Sequence, residues 1–230
     1  QFLSVLRKNN QILGALFTNT VNGKKITVYA KQVIEATELG DVIAAVKIPF
    51  DLGMESGTAT GEDAGVKETN SIIQDLTYVA ILKDYGKGAD KIITKPVEYN
   101  PAEFDGACTD YYNDKSGKAP TVDAQKMLDY AKLPAGKYMI NWPNYGNDIY
   151  LDIINLTPQQ RNLLLEKAKQ QTLRFVYFIQ TQLGFKNLGL AEDEFATKDK
   201  LAYVPYYRES RRVQGLARLK INHIAKPFDY

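Results

Sequence analysis

Apolar clusters broken by short polar stretches run through the first 36 residues, with strict alternation over residues 26–30. The runs QFLSVLRKNNQILGALF and KKITVYAKQVIEAT read as strands. Between them lies VNGK, and Asn22-Gly23 is a strong hairpin signal because both residues tolerate positive φ. Ile26, Val28 and Ala30 alternate with Thr27 and Tyr29, which predicts a half-buried strand. Val33 and Ile34 then carry the chain inward to Ala36.

The pattern changes in residues 51–70, DLGMESGTATGEDAGVKETN, which are polar and glycine-rich and predict a long loop. SIIQDLTYVAILK follows. Its Tyr78, Ala80 and Leu82 alternate with Val79 and Ile81, which predicts a buried strand. Residues 84–120 are tyrosine-rich and irregular, with several turns and room for one short helix. Loops this long inside a compact domain are usually functional or disordered.

The clearest helix is at 157–183. Thr157 fits the N-cap, Pro158 the first helical position and Gln160 the third, the form of a capping box. Leu164, Ala168, Phe175, Phe178 and Ile179 recur near helical spacing, and Gly184 suits a left-handed C-terminal cap. Together the elements predict an α+β fold: a small β-meander over residues 1–48, then a mixed domain over 49–230 around one long helix.

Composition narrows the function classes. The chain has 230 residues, 44% hydrophobic and 24% charged, enough for a core of useful size. A net charge of +2 lacks the basic bias of a nucleic-acid binder. One cysteine, Cys108, excludes an internal disulfide, and with one histidine, His223, it argues against a Cys/His zinc site; no metal is expected. No run approaches the roughly 18 apolar residues of a membrane-spanning helix, so no membrane partner is expected. The chain opens at Gln1 with no signal-peptide pattern, and an internal fragment of a longer protein is the expectation.

Several chemistries fall away. Gly86-Lys87-Gly88 begins like a dinucleotide fingerprint, but Lys91 occupies the third glycine position and a surface turn is the better reading. His223 has no partner that sequence can identify, and a nucleophilic Cys108 would have only that imidazole as its base. Two clusters remain. YYRESRRVQGLARLK holds Arg208, Arg211, Arg212 and Arg218. A helix would put Arg208, Arg211 and Arg212 on one face; a strand, favoured by the preceding tyrosines and Val204, would put Arg208 and Arg212 opposite Arg211. Arginine forks suit carboxylates and phosphates, and a surface segment salt-bridged through Glu209 is the plain alternative. MINWPNYGND holds the one tryptophan, and Trp142 beside Asn141 and Asn144 suits a polar, sugar-like pocket or a buried turn.

In order along the chain, VIEATELGDVIAAVKIPFDLGMES, NW followed by ND, LLEKAKQQTLRFVYFIQTQLG and YVPYYRESRRVQG resemble one branch of the FAD-dependent oxidoreductases. Its bacterial members are often labelled secreted or xanthan-lyase-associated FAD oxidoreductases. The resemblance covers almost the whole chain, and ATELGD and YRESRR are its most specific pieces. It implies that the strand carrying Ala36-Thr37 returns to an FAD-binding domain and ends near the cofactor. Ala36, Thr37, Glu38, Gly40 and Asp41 are then the expected cofactor-binding residues. Glu38 stands where many flavoproteins have the glycine of ATG. Arg208, Arg211 and Arg212 become the expected catalytic residues, holding an anionic group or steadying charge on reduced flavin. Asn141 and Trp142 are the expected substrate-binding residues for a small molecule, in one reading a carbohydrate.

The resemblance further implies that the GxGxxG segment precedes this chain and that a second FAD-contacting segment follows it. The fragment alone is then not expected to hold FAD or to be active. It also implies export to the periplasm or beyond. The alternatives are a non-catalytic module that binds carbohydrate through Trp142, Asn141 and the 99–112 loop, and an interaction domain that dimerises through an uncovered apolar face.

Overall fold

The computed structural model describes residues 1–62 and 64–229. In chain order the first elements are β1 (Phe2–Lys8), β2 (Gln11–Thr18), β3 (Lys25–Tyr29), α1 (Asp41–Ala45), β4 (Phe50–Asp51) and α2 (Gly57–Thr60). Next come β5 (Leu76–Thr77), β6 (Ala80–Asp84), a 3₁₀ turn at Pro101–Phe104, α3 (Ala124–Asp129), β7 (Lys132–Leu133) and β8 (Lys137–Ile140). The chain continues with β9 (Asp148–Ile149), α4 (Pro158–Thr181), β10 (Leu188–Leu190), β11 (Arg212–Val213) and α5 (Ile221–Ala225). Every pair of named strands is antiparallel, and the class is α+β.

The chain forms two compact units. One holds Gln1–Gln74 and Glu209–Tyr230; the other holds Asp75–Arg208. A boundary at residue 48 therefore falls inside the first unit. β11 returns there to pair with β4, Arg212 opposite Asp51, a long-range pairing that no local pattern signals.

The first unit is built on the meander β1-β2-β3. Gly14 lets its strands close, since a Cβ there would lie 1.9 Å from the Val28 carbonyl. The hairpin joins Thr18 to Lys25 through a six-residue loop rather than a two-residue turn. Asn19 and Asn22 side chains accept the Val21 and Lys24 N–H groups, and within the loop Gly23 alone takes a positive φ. Burial differs from the pattern. All five residues of β3 are exposed, Ile26 and Val28 included. Val33 and Ile34 are also exposed and lie outside any strand. The alternation of β3 is genuine, but among the described residues no layer of this unit covers that face.

The second unit has a four-stranded sheet, β10-β6-β8-β7, and a two-stranded one, β5-β9, against which α4 packs. The capping box forms: Thr157 Oγ1 accepts the Gln160 N–H at 3.3 Å, and the Thr157 N–H donates to Gln160 Oε1 at 3.0 Å. Phe175, Val176, Phe178 and Ile179 of α4 are fully buried with Phe104 of the 3₁₀ turn and Leu82 of β6. Each such side chain contributes about 1.5–3 kcal/mol. Two polar side chains buried in this core are paired. Thr172 Oγ1 donates to the Tyr78 carbonyl at 2.7 Å, and Gln180 Nε2 donates to the Lys91 and Leu188 carbonyls, both at 2.7 Å. Gly86 and Gly88 both have positive φ in a turn after β6, and no helix follows them.

Candidate functional site

The segment from Glu35 to Asp41 is a hydrogen-bonded turn that leads into α1. Glu35 Oε1 accepts the Thr37 N–H at 3.2 Å and the Thr37 hydroxyl. Thr37 Oγ1 in turn accepts the Asp41 N–H at 2.9 Å. Gly40 caps α1 with φ 66°, a left-handed conformation that L side chains disfavour. Ala36, Thr37 and Glu38 are exposed, whereas Leu39 and Gly40 are buried.

Arg211 reaches into this turn from the C-terminal stretch of the same unit. Its Nη1 donates to the Leu39 carbonyl at 2.6 Å and to Asp41 Oδ1 at 3.1 Å. Its guanidinium carbon lies 5.4 Å from the centre of the Phe50 ring. A Cβ at Gly40 would stand 3.1 Å from both Arg211 Cβ and Ile43 Cδ1, so the glycine makes room for the arginine as well as for the turn. The two most family-like motifs, ATELGD and YRESRR, thus meet through one buried guanidinium.

The neighbouring arginines have other partners. Arg212 Nη2 donates to the Gly53 carbonyl at 2.6 Å and lies 3.6 Å from Glu55, while Nη1 bonds Glu209. Glu209 also accepts the N–H groups of Gly53, at 3.0 Å, and Gln74, at 2.9 Å. Arg218 bridges Asp51 and Glu55. A hydrogen bond from Gln214, at 2.7 Å, and the Arg218 and Arg212 charges hold the Asp51 carboxyl below its usual range.

Arg208 belongs to the second unit. Nη1 donates to the Asp75 carbonyl at 3.0 Å. Nη2 donates to Asn141 Oδ1 at 3.0 Å and to Asp148 at 3.1 Å, and Asp148 also accepts the Thr77 hydroxyl. Neither a single helix nor a single strand carries the arginines. Only Arg212 and Val213 are in a strand, and Arg208 and Arg211 fall in different units.

The two expected substrate contacts also separate. Asn141 turns to Arg208, whereas Trp142 donates Nε1 to the Ala107 carbonyl at 2.9 Å and packs edge-on against Tyr130. Adjacent side chains of an extended segment point to opposite sides. Cys108 is fully buried, and burial pushes its thiol above the usual range, away from thiolate chemistry. His223 Nδ1 accepts the Lys220 N–H at 2.8 Å at the start of α5.

Glu35 was not among the residues singled out in the sequence. Its Oε2 is buried without a hydrogen-bond partner. The residue lies among Phe17, Val33, Ile34 and Ala36 along a cavity of 310 Å³. The available signal was a charged residue inside the apolar run VIEA.

No curated protein and no solved structure matches the chain. The family described as FAD dependent oxidoreductase matches residues 1–229, and the chain belongs to the FAD-dependent oxidoreductases.

Proposed function

We propose that the chain supplies one edge of a flavin site, in its first unit, together with a domain that receives the substrate, in a protein that transfers a hydride between a small organic molecule and FAD. The observation that carries the reading is the Arg211 contact with Leu39 and Asp41, which gives the family-like turn a fixed shape. FAD, when bound, supplies the hydride chemistry; the protein supplies binding, orientation and electrostatics.

The residues fit part of a flavin nucleotide. Glu35 offers a buried acceptor without a partner beside an apolar cavity, which suits a hydroxyl or amine donor and repels pyrophosphate. Ala36, Thr37 and Glu38 offer exposed positions beside it, with no large apolar side chain among them. Gly40 and Asp41 serve from behind, through Arg211. The three arginines, expected to hold an anion, are each committed to carboxylate and carbonyl partners. Positioning is the role this geometry supports: Arg211 for the 35–41 turn, Arg212 for the Gly53–Glu55 loop, Arg208 for Asn141.

Visible flavin absorbance tests the reading. We expect the natural protein that contains this chain to purify yellow and to bleach on anaerobic mixing with its substrate. A colourless protein that takes up no added FAD would remove the reading.

A further inference from the structure

The geometry points to a carbohydrate-binding cleft in the second unit, centred on Tyr145, which does not depend on the flavin reading. Tyr145 is 54% exposed and stands between two adjoining cavities of 170 and 440 Å³, both of which it lines together with Gly106 and Lys118. Trp142 and Asn144 line the smaller cavity; Tyr112 and Asp114 line the larger. A solvent-facing ring with open space on two sides is a platform, not core packing.

The platform is held rigidly. Tyr145 takes φ 51°, a left-handed conformation that a bulky L residue adopts only when its surroundings impose it. Buried Asn147 closes the turn that holds it. Its Oδ1 accepts the Trp142 N–H at 2.8 Å, and its Nδ2 donates to the Tyr78 and Ile140 carbonyls at 3.1 and 3.0 Å. Gly146 completes the turn, since a Cβ there would lie 2.2 Å from the Trp142 carbonyl. On the other side Gly106, with φ 97°, lets the Tyr145 ring approach its backbone, where a Cβ would sit 3.2 Å from the ring. The Tyr112 hydroxyl donates to the Gly117 carbonyl at 2.9 Å, which fixes the far wall. A strained, braced aromatic that remains exposed is the arrangement expected of a ligand contact.

The lining chooses the ligand class. An anion would meet Glu103, Asp105 and Asp114, and among the described residues Lys118 is the one cationic donor on either lining, so the walls offer both acceptors and a donor. A neutral polyhydroxyl ligand satisfies both, donating to carboxylates and accepting from the ammonium and the Asn144 amide, while its C–H face stacks on tyrosine. The two cavities meet at Tyr145, so the cleft suits two sugar units, one on each side of the ring.

Trp142 is the sole tryptophan, so its emission reports on the smaller cavity directly. The test is a fluorescence titration of the full chain with maltotriose, cellotriose, chitotriose and mannotriose. We expect a saturable change with at least one at millimolar concentration or below. Tyr145→Ala should weaken it about tenfold, the loss typical of truncating an aromatic anchor. Tyr145→Gly removes the ring but accepts the left-handed φ, so it should fold at least as well as the parent and still lose binding. Tyr203→Ala, at another exposed tyrosine, should bind as the parent does. No saturable change with any of the four sugars, or undiminished binding by Tyr145→Gly, would overturn the proposal.

Discussion

Arg211 and Asp41 lie 170 residues apart in sequence and 3.1 Å apart in space, with the Leu39 carbonyl on the same guanidinium nitrogen at 2.6 Å. Arg211 is buried, whereas the Asp41 side chain is 38% exposed, so the two partners are not equivalent. Arg211→Ala should cost about 2–3 kcal/mol, because it strands the Leu39 carbonyl and leaves a hole in buried packing. Asp41→Asn should cost under about 1 kcal/mol, since water screens the carboxylate. Urea unfolding of both variants checks the ranking; equal losses would mean that the ion pair, not the carbonyl contact, holds the turn.

Gly40→Ala should be destabilising by more than its single methyl suggests. The residue sits at φ 66°, and the added Cβ would stand 3.1 Å from Arg211 Cβ. We expect about 1–3 kcal/mol, against the gain of about 0.4–1 kcal/mol that glycine-to-alanine changes give where the conformation is compatible. Thermal unfolding beside Gly23→Ala, where a Cβ meets nothing within 4 Å, separates the contact from the backbone cost.

Local patterns carried as far as local physics reaches. The capping box of α4, the buried run through β6 and the hairpin were legible because each depends on neighbours in the sequence. The burial of β3 and of Val33-Ile34 was misread, because alternation tells which residues share a face but not whether anything covers it. The arginine motif was legible as chemistry and not as geometry. Its side chains divide between two units, and their partners Leu39, Gly53 and Asn141 are set by tertiary folding. Glu35 and Tyr145 escaped notice for a related reason: a partnerless oxygen and a left-handed tyrosine show only in three dimensions.

Arg208 compensates Asp148, whose side chain is only 7% exposed. Arg208→Ala leaves that carboxylate with the Thr77 hydroxyl as its remaining described partner and should cost about 2–3 kcal/mol. Arg208→Ala combined with Asp148→Asn should recover part of the loss, because the uncompensated charge is gone. A double-mutant cycle measures the coupling; a value near zero would show the two groups to be independent.

Glu35→Gln keeps an acceptor for Thr37 and replaces the partnerless carboxylate oxygen with a neutral amide. Without flavin, stability should change by under about 1 kcal/mol, because the partnerless oxygen gives way to an amide nitrogen that is equally partnerless. In the longest natural protein containing this chain, FAD affinity should fall about tenfold, the worth of one hydrogen bond to a charged group. Equilibrium dialysis measures this, and unchanged affinity would take Glu35 out of the flavin site while leaving the flavin reading to the absorbance test.

Asp51 sets an acid limit on the first unit. The hydrogen bond from Gln214 and the Arg218 and Arg212 charges lower its pKa below the ordinary 3.8. A carboxyl lowered on folding stabilises fully above its unfolded pKa, and that contribution is lost as pH falls through the folded value. The loss therefore lies in the window below pH 3.8 and not near neutrality. Asp51→Asn should lower stability at neutral pH by under about 1 kcal/mol, since exposed ion pairs are screened. The same variant should also flatten the decline below that window. Unfolding midpoints measured from neutral pH into the acid range decide it. A parent-like slope in Asp51→Asn would move the acid-sensitive charge out of this cluster, with Asp84 of the second unit the next candidate, because its carboxyl is held low by the Gly86 N–H and the Asn187 amide.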